Sequence, residues 1–315
     1  MTKKKALLGV SPSPITKFLD PKNDYAFRKI FGSEKNKDIL IHFLNDVLTF
    51  KERAPIKDLV FLKTIQDPET ASKKTSAVDV MCTDENNNRY IVEMQVAQEK
   101  GFEQRAQYYA SKAYVSQVLI GGKYQDLKEI IFLAIANFVM FPKKKPWKSE
   151  HITLDKDSYE HDLKDFSFTF LELPKFHNTI DELSTLEEKW MYYFKHAEET
   201  SDEDLERLVE HAPIIERAYD ELDRFHWNDE EIRTYEKAEK DERDYQACME
   251  LQYDKGLEEG LEKGRKEKDA AVKKAEEKAQ QEKIETAKVL LAQGIDTETI
   301  AKATKLSQEE IEKLS

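Results

Sequence analysis

The sequence predicts an α/β core followed by a helical, highly charged C-terminal region. Three observations carry that expectation. Short apolar runs rich in β-branched residues alternate with segments of helical period up to about residue 180. From Ser184 onward helical patterning runs almost without interruption to Gln293. Within it, residues 254–288 become a Lys/Glu/Ala-rich stretch suited to a solvated helix or coiled coil.

The elements follow in order. Residues 1–19 read as a loose leader. In "PKNDYAFRKIFGSEKNKDILIHFLNDVL", Tyr25, Phe27, Ile30 and Phe31 line one helix and Ile39, Leu40, Phe43, Leu44 and Val47 a second. Gly32 and Ser33 provide the break, with Ser33 placed as an N-cap. "IKDLVFLKTI" (56–65) predicts a strand. "SAVDVMCT" and "RYIVEMQVA" predict a hairpin around the polar loop Asp84–Asn88. "GFEQRAQYYASKAYVSQVLI" predicts a helix, "EIIFLAIANFVMF" (129–141) a buried central strand, and "FSFTFLEL" (166–173) a further strand. Helix, three strands, helix, strand is an α/β order with an antiparallel hairpin inside it. The expected divisions are 1–19, a core over 20–180, a helical extension over 181–253, the charged helix over 254–293, and a two-helix unit over 294–315.

Beyond the core, Ser184 with Glu187 predicts a capping box opening "STLEEKWMYYF". Gly256, Gly260 and Gly264 would share one helix face, fitting either close helix approach or a weak joint. Asp296 and Ser307 are expected caps, with Glu310 completing a box. "IAKATKLSQEEIEKL" has the outline of a helix-turn-helix start, but Glu309, Glu310 and Glu312 would face phosphate repulsion. A protein-contact module, serving self-association, is therefore expected there.

Composition bounds the function. Apolar residues make up 39% and charged residues 36% of the 315 residues, and the net charge is −13. That charge is uneven: residues 1–150 carry +7 and residues 151–315 carry −20. A polyanion-facing front on an acidic body is one reading of that asymmetry; an acidic half that only maintains solubility is the other. Cys82 and Cys248 form no ligand spacing, which predicts a reducing compartment without disulfides or a cysteine zinc site. No stretch reaches the length of a signal sequence or membrane span, so a cytoplasmic protein is expected. The seven histidines form no metal-ligand pattern.

The informative residues lie in the hairpin. With Asp84–Asn88 as its loop, Thr83 faces Arg89, Met81 faces Ile91 and Asp79 faces Glu93. Like charges directly opposed on a sheet are destabilising, whereas a divalent cation binds two hard carboxylates together. Gln95 shares the face of Glu93, within reach of a bound water or phosphate. A solvated hairpin with outward charges is the alternative reading.

The stretches "DPKNDYAFRKIFG", "AVDVMCTDENNNRYIVEMQ", "RAQYYASKAY", "STLEEKWMYYFKHA" and "IRTYEKAEKDERDYQACMELQYDKGLEEGLEKG" resemble, in that order, the Rpn-type recombination-promoting nuclease/transposase family of the PD-(D/E)XK superfamily. The resemblance implies a restriction-endonuclease-like core and a Mg²⁺-dependent DNA endonuclease, with Mn²⁺ as a substitute ion. It implies that Asp79 and Glu93 are metal ligands and that Gln95 stands where the superfamily usually has lysine. Glutamine cannot carry that positive charge. Val78 replaces the motif proline. Asp24 falls on the first-helix acidic position, where it either completes the site or serves the helix N-terminus. Arg105 and Gln107, on the helix flanking the site, are candidate phosphate ligands. Lys73, Lys74 and the "PKKKPWK" lysines Lys143, Lys144 and Lys145 are candidate DNA-backbone contacts, or solvated loop residues. The competing functions are a DNA- or protein-binding module with little cleavage, and an oligomeric scaffold built on the helical half.

Overall fold

The structure, a computed structural model, describes residues 16–49, 54–63, 78–118 and 122–314. Lys73 and Lys74 lie outside them, as do most of the leader and the end of the strand expected at 56–65. Helix α1 (Asp24–Phe31) and α2 (Lys37–Val47) precede strands β1 (Leu59–Phe61), β2 (Val80–Asp84) and β3 (Arg89–Gln95). Helix α3 (Phe102–Val115) leads to β4 (Ile130–Ala136), β5 (Lys148–Ile152) and β6 (Phe166–Glu172). The strands form one mixed sheet in the order β1-β2-β3-β4-β6-β5. β3, β4 and β6 run parallel, and the outer pairs are antiparallel. This is the α/β core expected from the sequence.

Every residue of β4 is buried, as expected for a strand covered on both faces. Period-2 alternation sorts the sheet. Tyr90, Val92, Met94, Ile131, Leu133 and Ile135 point into a core shared with α1, α2 and the helices beyond residue 185. Ile91, Ile130, Phe132 and Ala134 point the other way, against α3. Ala106, Ala110 and Ala113 give α3 a face of small side chains, so it lies close on the sheet. By the same alternation Glu93 and Gln95 belong to the α3 face.

Strand β5 was not expected. Its sequence, KSEHI, lacks an apolar alternation because it is an edge strand, paired only with β6. Trp147, from the basic "PKKKPWK" stretch, packs edge-on against Phe176 at 5.7 Å and so serves the core. Ser33 does not cap α2: its hydroxyl donates to the Lys29 carbonyl at 2.7 Å. The true cap on this segment is Asn23, whose side chain accepts from the Tyr25 and Ala26 amides at the start of α1.

Helices α4 (Leu186–His196), α5 (Asp202–Val209) and α6 (Pro213–Leu222) complete the first compact unit, residues 1–242. The capping box of α4 is one residue later than expected, Thr185 with Glu188. Helix α4 inserts Trp190, Tyr193 and Phe194 among Phe27, Phe31 and Phe43, with Phe31–Phe43 centroids 5.3 Å apart and Phe43–Trp190 5.4 Å. Each such ring contributes about 1.5–3 kcal/mol through burial, so this cluster fixes α1 against α2 and α4.

Helix α7 (Asp229–Ala292) starts in that unit and continues into the second, residues 243–315. A Cβ built on Gly256, Gly260 or Gly264 would meet open space, so within the described chain no helix packs closely on those glycines. The last turns of α7 join α8 (Thr297–Thr304) and α9 (Gln308–Glu312) around Ala287, Ile300, Leu306 and Ile311. The expected caps are present: Asp296 on α8, and the Ser307–Glu310 box on α9. The unit therefore has three helical segments, because the end of α7 supplies one wall of its core.

Candidate nuclease site

The hairpin pairs Thr83 with Arg89, Met81 with Ile91 and Val80 with Val92. Continued by one residue, this register sets Asp79 beside Glu93. Asp79 ends the β2 ladder in a specific way: its Oδ2 accepts the Met94 backbone N–H at 2.9 Å. A carboxylate thus replaces a carbonyl where the strand stops, and its second oxygen is left facing Glu93 and α1.

That second oxygen is taken by Arg28. Its Nη2 and Nε donate to Asp79 Oδ1 at 2.9 and 3.3 Å, and Nη2 also lies 2.8 Å from Asp24 Oδ1. Asp24 and Arg28 are one helical turn apart on α1, so both reach the end of β2 together. Sequence reasoning placed Asp24 but missed Arg28; the i, i+4 pairing was its available signal.

Glu93 is 5% exposed, and its Oε1 is buried without a hydrogen-bond partner. Burial, then the charge of Asp79 and a shared hydrogen bond with it, push the Glu93 carboxyl well above the ordinary range. Arg105 and Arg28 oppose that rise without cancelling it.

Gln95 is engaged at both ends. Its Nε2 donates to the Ala97 carbonyl at 3.0 Å, and its Oε1 accepts from Arg105 Nη2. Arg105 also pairs with Glu99. Gly101, at φ 83°, provides the left-handed turn from the loop after β3 into α3, which brings Arg105 over the sheet. Gln107 is not brought to the carboxylates. Its amide donates to the Glu103 carbonyl at 3.0 Å, and it lines a separate pocket of about 330 Å³ with Phe141, His151, Phe166, Phe168 and Phe170.

Lys143, Lys144 and Lys145 are exposed on the loop after β4. That loop leaves the sheet at the same end as Gln95, whose carbonyl accepts the Asn137 N–H at 2.9 Å. A cleft of about 420 Å³ lies there, between the turn 98–103 and residues Phe138 and Met140. Carboxyl ends of parallel strands are where open α/β sheets place their ligands.

Among the described residues no group of three or more His, Cys, Asp or Glu is arranged to hold a metal. A two-carboxylate site is nevertheless present, and its donors suit a divalent cation. Both are hard oxygens, they repel one another, and one buried oxygen lacks a partner.

Residues 21–252 match the family model described as "PD-(D/E)XK nuclease family transposase". The chain belongs to that family. Residues 280–315 match a second model, the C-terminal HTH domain of the Rpn/YhgA-like nuclease family. No curated protein and no solved structure gives a significant match. The second match agrees with the helix-turn-helix outline of the C-terminal unit, and such a domain points to DNA as a partner. Glu310, counted against DNA contact, is occupied in capping α9, where Oε2 accepts from the Ser307 N–H and hydroxyl at 2.8 Å. The family assignment carries nuclease ancestry and an association with mobile elements. No helix among the described residues is long and apolar enough to cross a membrane.

Proposed function

We propose that this protein is a Mg²⁺-dependent DNA endonuclease, able to use Mn²⁺, that hydrolyses phosphodiester bonds during recombination or movement of mobile elements. The observation that carries the reading is Glu93: a buried carboxylate with an unpartnered oxygen, set beside Asp79. Asp79 and Glu93 would hold the ion, with Asp24 nearby. When bound, such an ion lowers the pKa of water and offsets charge developing on the phosphate. In the reaction a water oxygen bonds to phosphorus and the P–O bond to the leaving oxygen breaks. One water proton passes to solvent and the leaving oxygen takes up another.

The chain's own groups position the substrate. Gln95 offers an amide held by Arg105 and Ala97, which orients water or phosphate but cannot act as a charged base. Lys143, Lys144 and Lys145 would contact the DNA backbone, with Lys73 and Lys74 assigned the same role from sequence. The C-terminal helices would add DNA affinity and self-association. Two free cysteines suit a reducing cytoplasm.

A second reading rests on the same Gln95. Both ends of its amide are already bonded, so a protein that grips DNA and cuts slowly is also consistent with the site. Supercoiled plasmid incubated with Mg²⁺, Mn²⁺ or EDTA separates the two, with Asp79→Ala and Glu93→Ala alongside. Metal-dependent nicking lost in both variants supports the nuclease. Binding without nicking in any metal supports the grip.

A further inference from the structure

Hydrolysis of a phosphodiester builds negative charge on the phosphate, and preorganised positive donors are a large part of how proteins accommodate it. Gln95 supplies none. Two cations lie by the carboxylates, and they are held differently. Arg105 is engaged by Glu99 and Gln95, neither of which the proposed ion would claim. Arg28 is held by Asp24 and by Asp79 Oδ1.

Asp79 Oδ1 is the informative atom. Oδ2 is committed to the Met94 amide, so Oδ1 is the oxygen Asp79 can offer an ion, and both Nε and Nη2 of Arg28 sit on it. An ion held by Asp79 would therefore compete with the guanidinium for that oxygen. The Arg28 side chain is 33% exposed, on a helix whose neighbouring residues Phe27, Ile30 and Phe31 are buried. Gly32, just after it, admits no side chain without displacement: a Cβ there would lie 2.8 Å from the Arg28 carbonyl and 3.3 Å from Val80. The chain at Gly32 is thus held close against β2, one helical turn after Arg28, whose guanidinium is held by the side chains of Asp24 and Asp79.

Resting on the nuclease reading above, we propose that Arg28 is the site's phosphate-binding cation. It sits on Asp79 Oδ1, and were an ion held by Asp79 and Glu93 its guanidinium would be available to the scissile phosphate. Arginine suits the role, since its planar fork binds carboxylate and phosphate alike.

The test uses the full chain with Mn²⁺ as the probe. Calorimetric titration without DNA compares wild type, Arg28→Met and Arg28→Lys, and plasmid cleavage at saturating Mn²⁺ follows for each. Arg28→Met removes the competitor, so Mn²⁺ affinity rises about tenfold, a gain of about 1.4 kcal/mol. Cleavage falls about a hundredfold, as when one charge-stabilising donor is lost. A residue that merely braced α1 would not tighten ion binding while slowing cleavage. Arg28→Lys retains the charge and falls between the two on both measures; it also carries the test if Arg28→Met fails to give a wild-type melting profile. Unchanged or weaker Mn²⁺ binding by a folded variant overturns the assignment, as does wild-type cleavage by Arg28→Met. Wild-type protein that neither binds Mn²⁺ nor cuts overturns the nuclease reading, and this assignment with it.

Discussion

Replacing Glu221 by Gln tests how α1, which carries Asp24 and Arg28, is held in place. Glu221 is 8% exposed on α6. It accepts from Lys35 at 2.9 Å, Asn36 at 3.0 Å and Arg217 at 2.5 Å. Asn36 in turn donates to the Lys29 carbonyl at 3.2 Å, so the cluster ties α6 to the end of α1. Burial alone would raise the Glu221 carboxyl, but the bonds from Lys35, Arg217 and Asn36 prevail and hold it at about 2, against an ordinary 4.5. At about 1.4 kcal/mol per pH unit, that gap corresponds to roughly 3 kcal/mol of folding stability at neutral pH. The folded carboxyl has the lower pKa, so this stability is complete above about pH 4.5 and is lost as pH falls towards 2. Glutamine keeps the shape without the charge. Urea unfolding followed by tryptophan fluorescence is a suitable assay, since Trp227 donates to the Glu221 carbonyl at 2.8 Å. The wild-type advantage over Glu221→Gln should be roughly 3 kcal/mol at pH 7 and shrink steadily between pH 4.5 and pH 2. Other carboxylates titrate in both proteins and cancel in the difference. A difference that stays constant with pH would refute the reasoning.

Further outcomes follow from the same contacts. Glu172→Ala strips the partner from Lys175 and from the Met140 and Phe141 amides; a loss of about 3–5 kcal/mol in denaturant unfolding is expected, with faster proteolysis of the loop bearing Lys143–Lys145. Native protein should expose one reactive thiol, Cys248, because Cys82 is fully buried and its thiol is raised by burial and by Asp84. A thiol count of two before unfolding would contradict this. Ile311→Asp places a charge in the small C-terminal core and should melt that unit. Circular dichroism would report the loss, and the tryptophan transition should stay put, since Trp147, Trp190 and Trp227 all lie in residues 1–242.

Elements with a strong period were legible in the sequence. The all-apolar run at β4 could only be a covered strand, and the hairpin register followed from loop chemistry and the alternation of its side chains. What escaped was set by tertiary partners. KSEHI forms β5 only because β6 lends it an edge, and Ser184 yields the cap to Thr185 because Glu188 can reach both. The third wall of the C-terminal unit was not legible because it is the end of a long charged helix. That helix looks solvated residue by residue until Ala287 meets Ile300 and Ile311. At the site, Asp79 and Glu93 were visible as a pair, but Arg28 lies 51 residues from Asp79 in the chain, and only the fold brings it there.

The buried acids of this protein provide an internal standard for judging Glu93. Among the described residues four acidic side chains are buried: Asp84, Glu93, Glu172 and Glu221. Asp84 accepts from the Asn86 and Asn88 amides, the Asn88 side chain and the Tyr90 hydroxyl. Glu172 and Glu221 likewise have donors on both oxygens. Those three are structural, and each is matched as burial of a charge requires. Glu93 alone is set beside another carboxylate with an oxygen left unmatched. If its purpose were packing, an apolar side chain of similar volume would serve the sheet better. The mismatch makes sense if its partner is a cation supplied from solution. On that proposal Arg28, paired with Asp79 and partly buried, would offset the negative charge of the site.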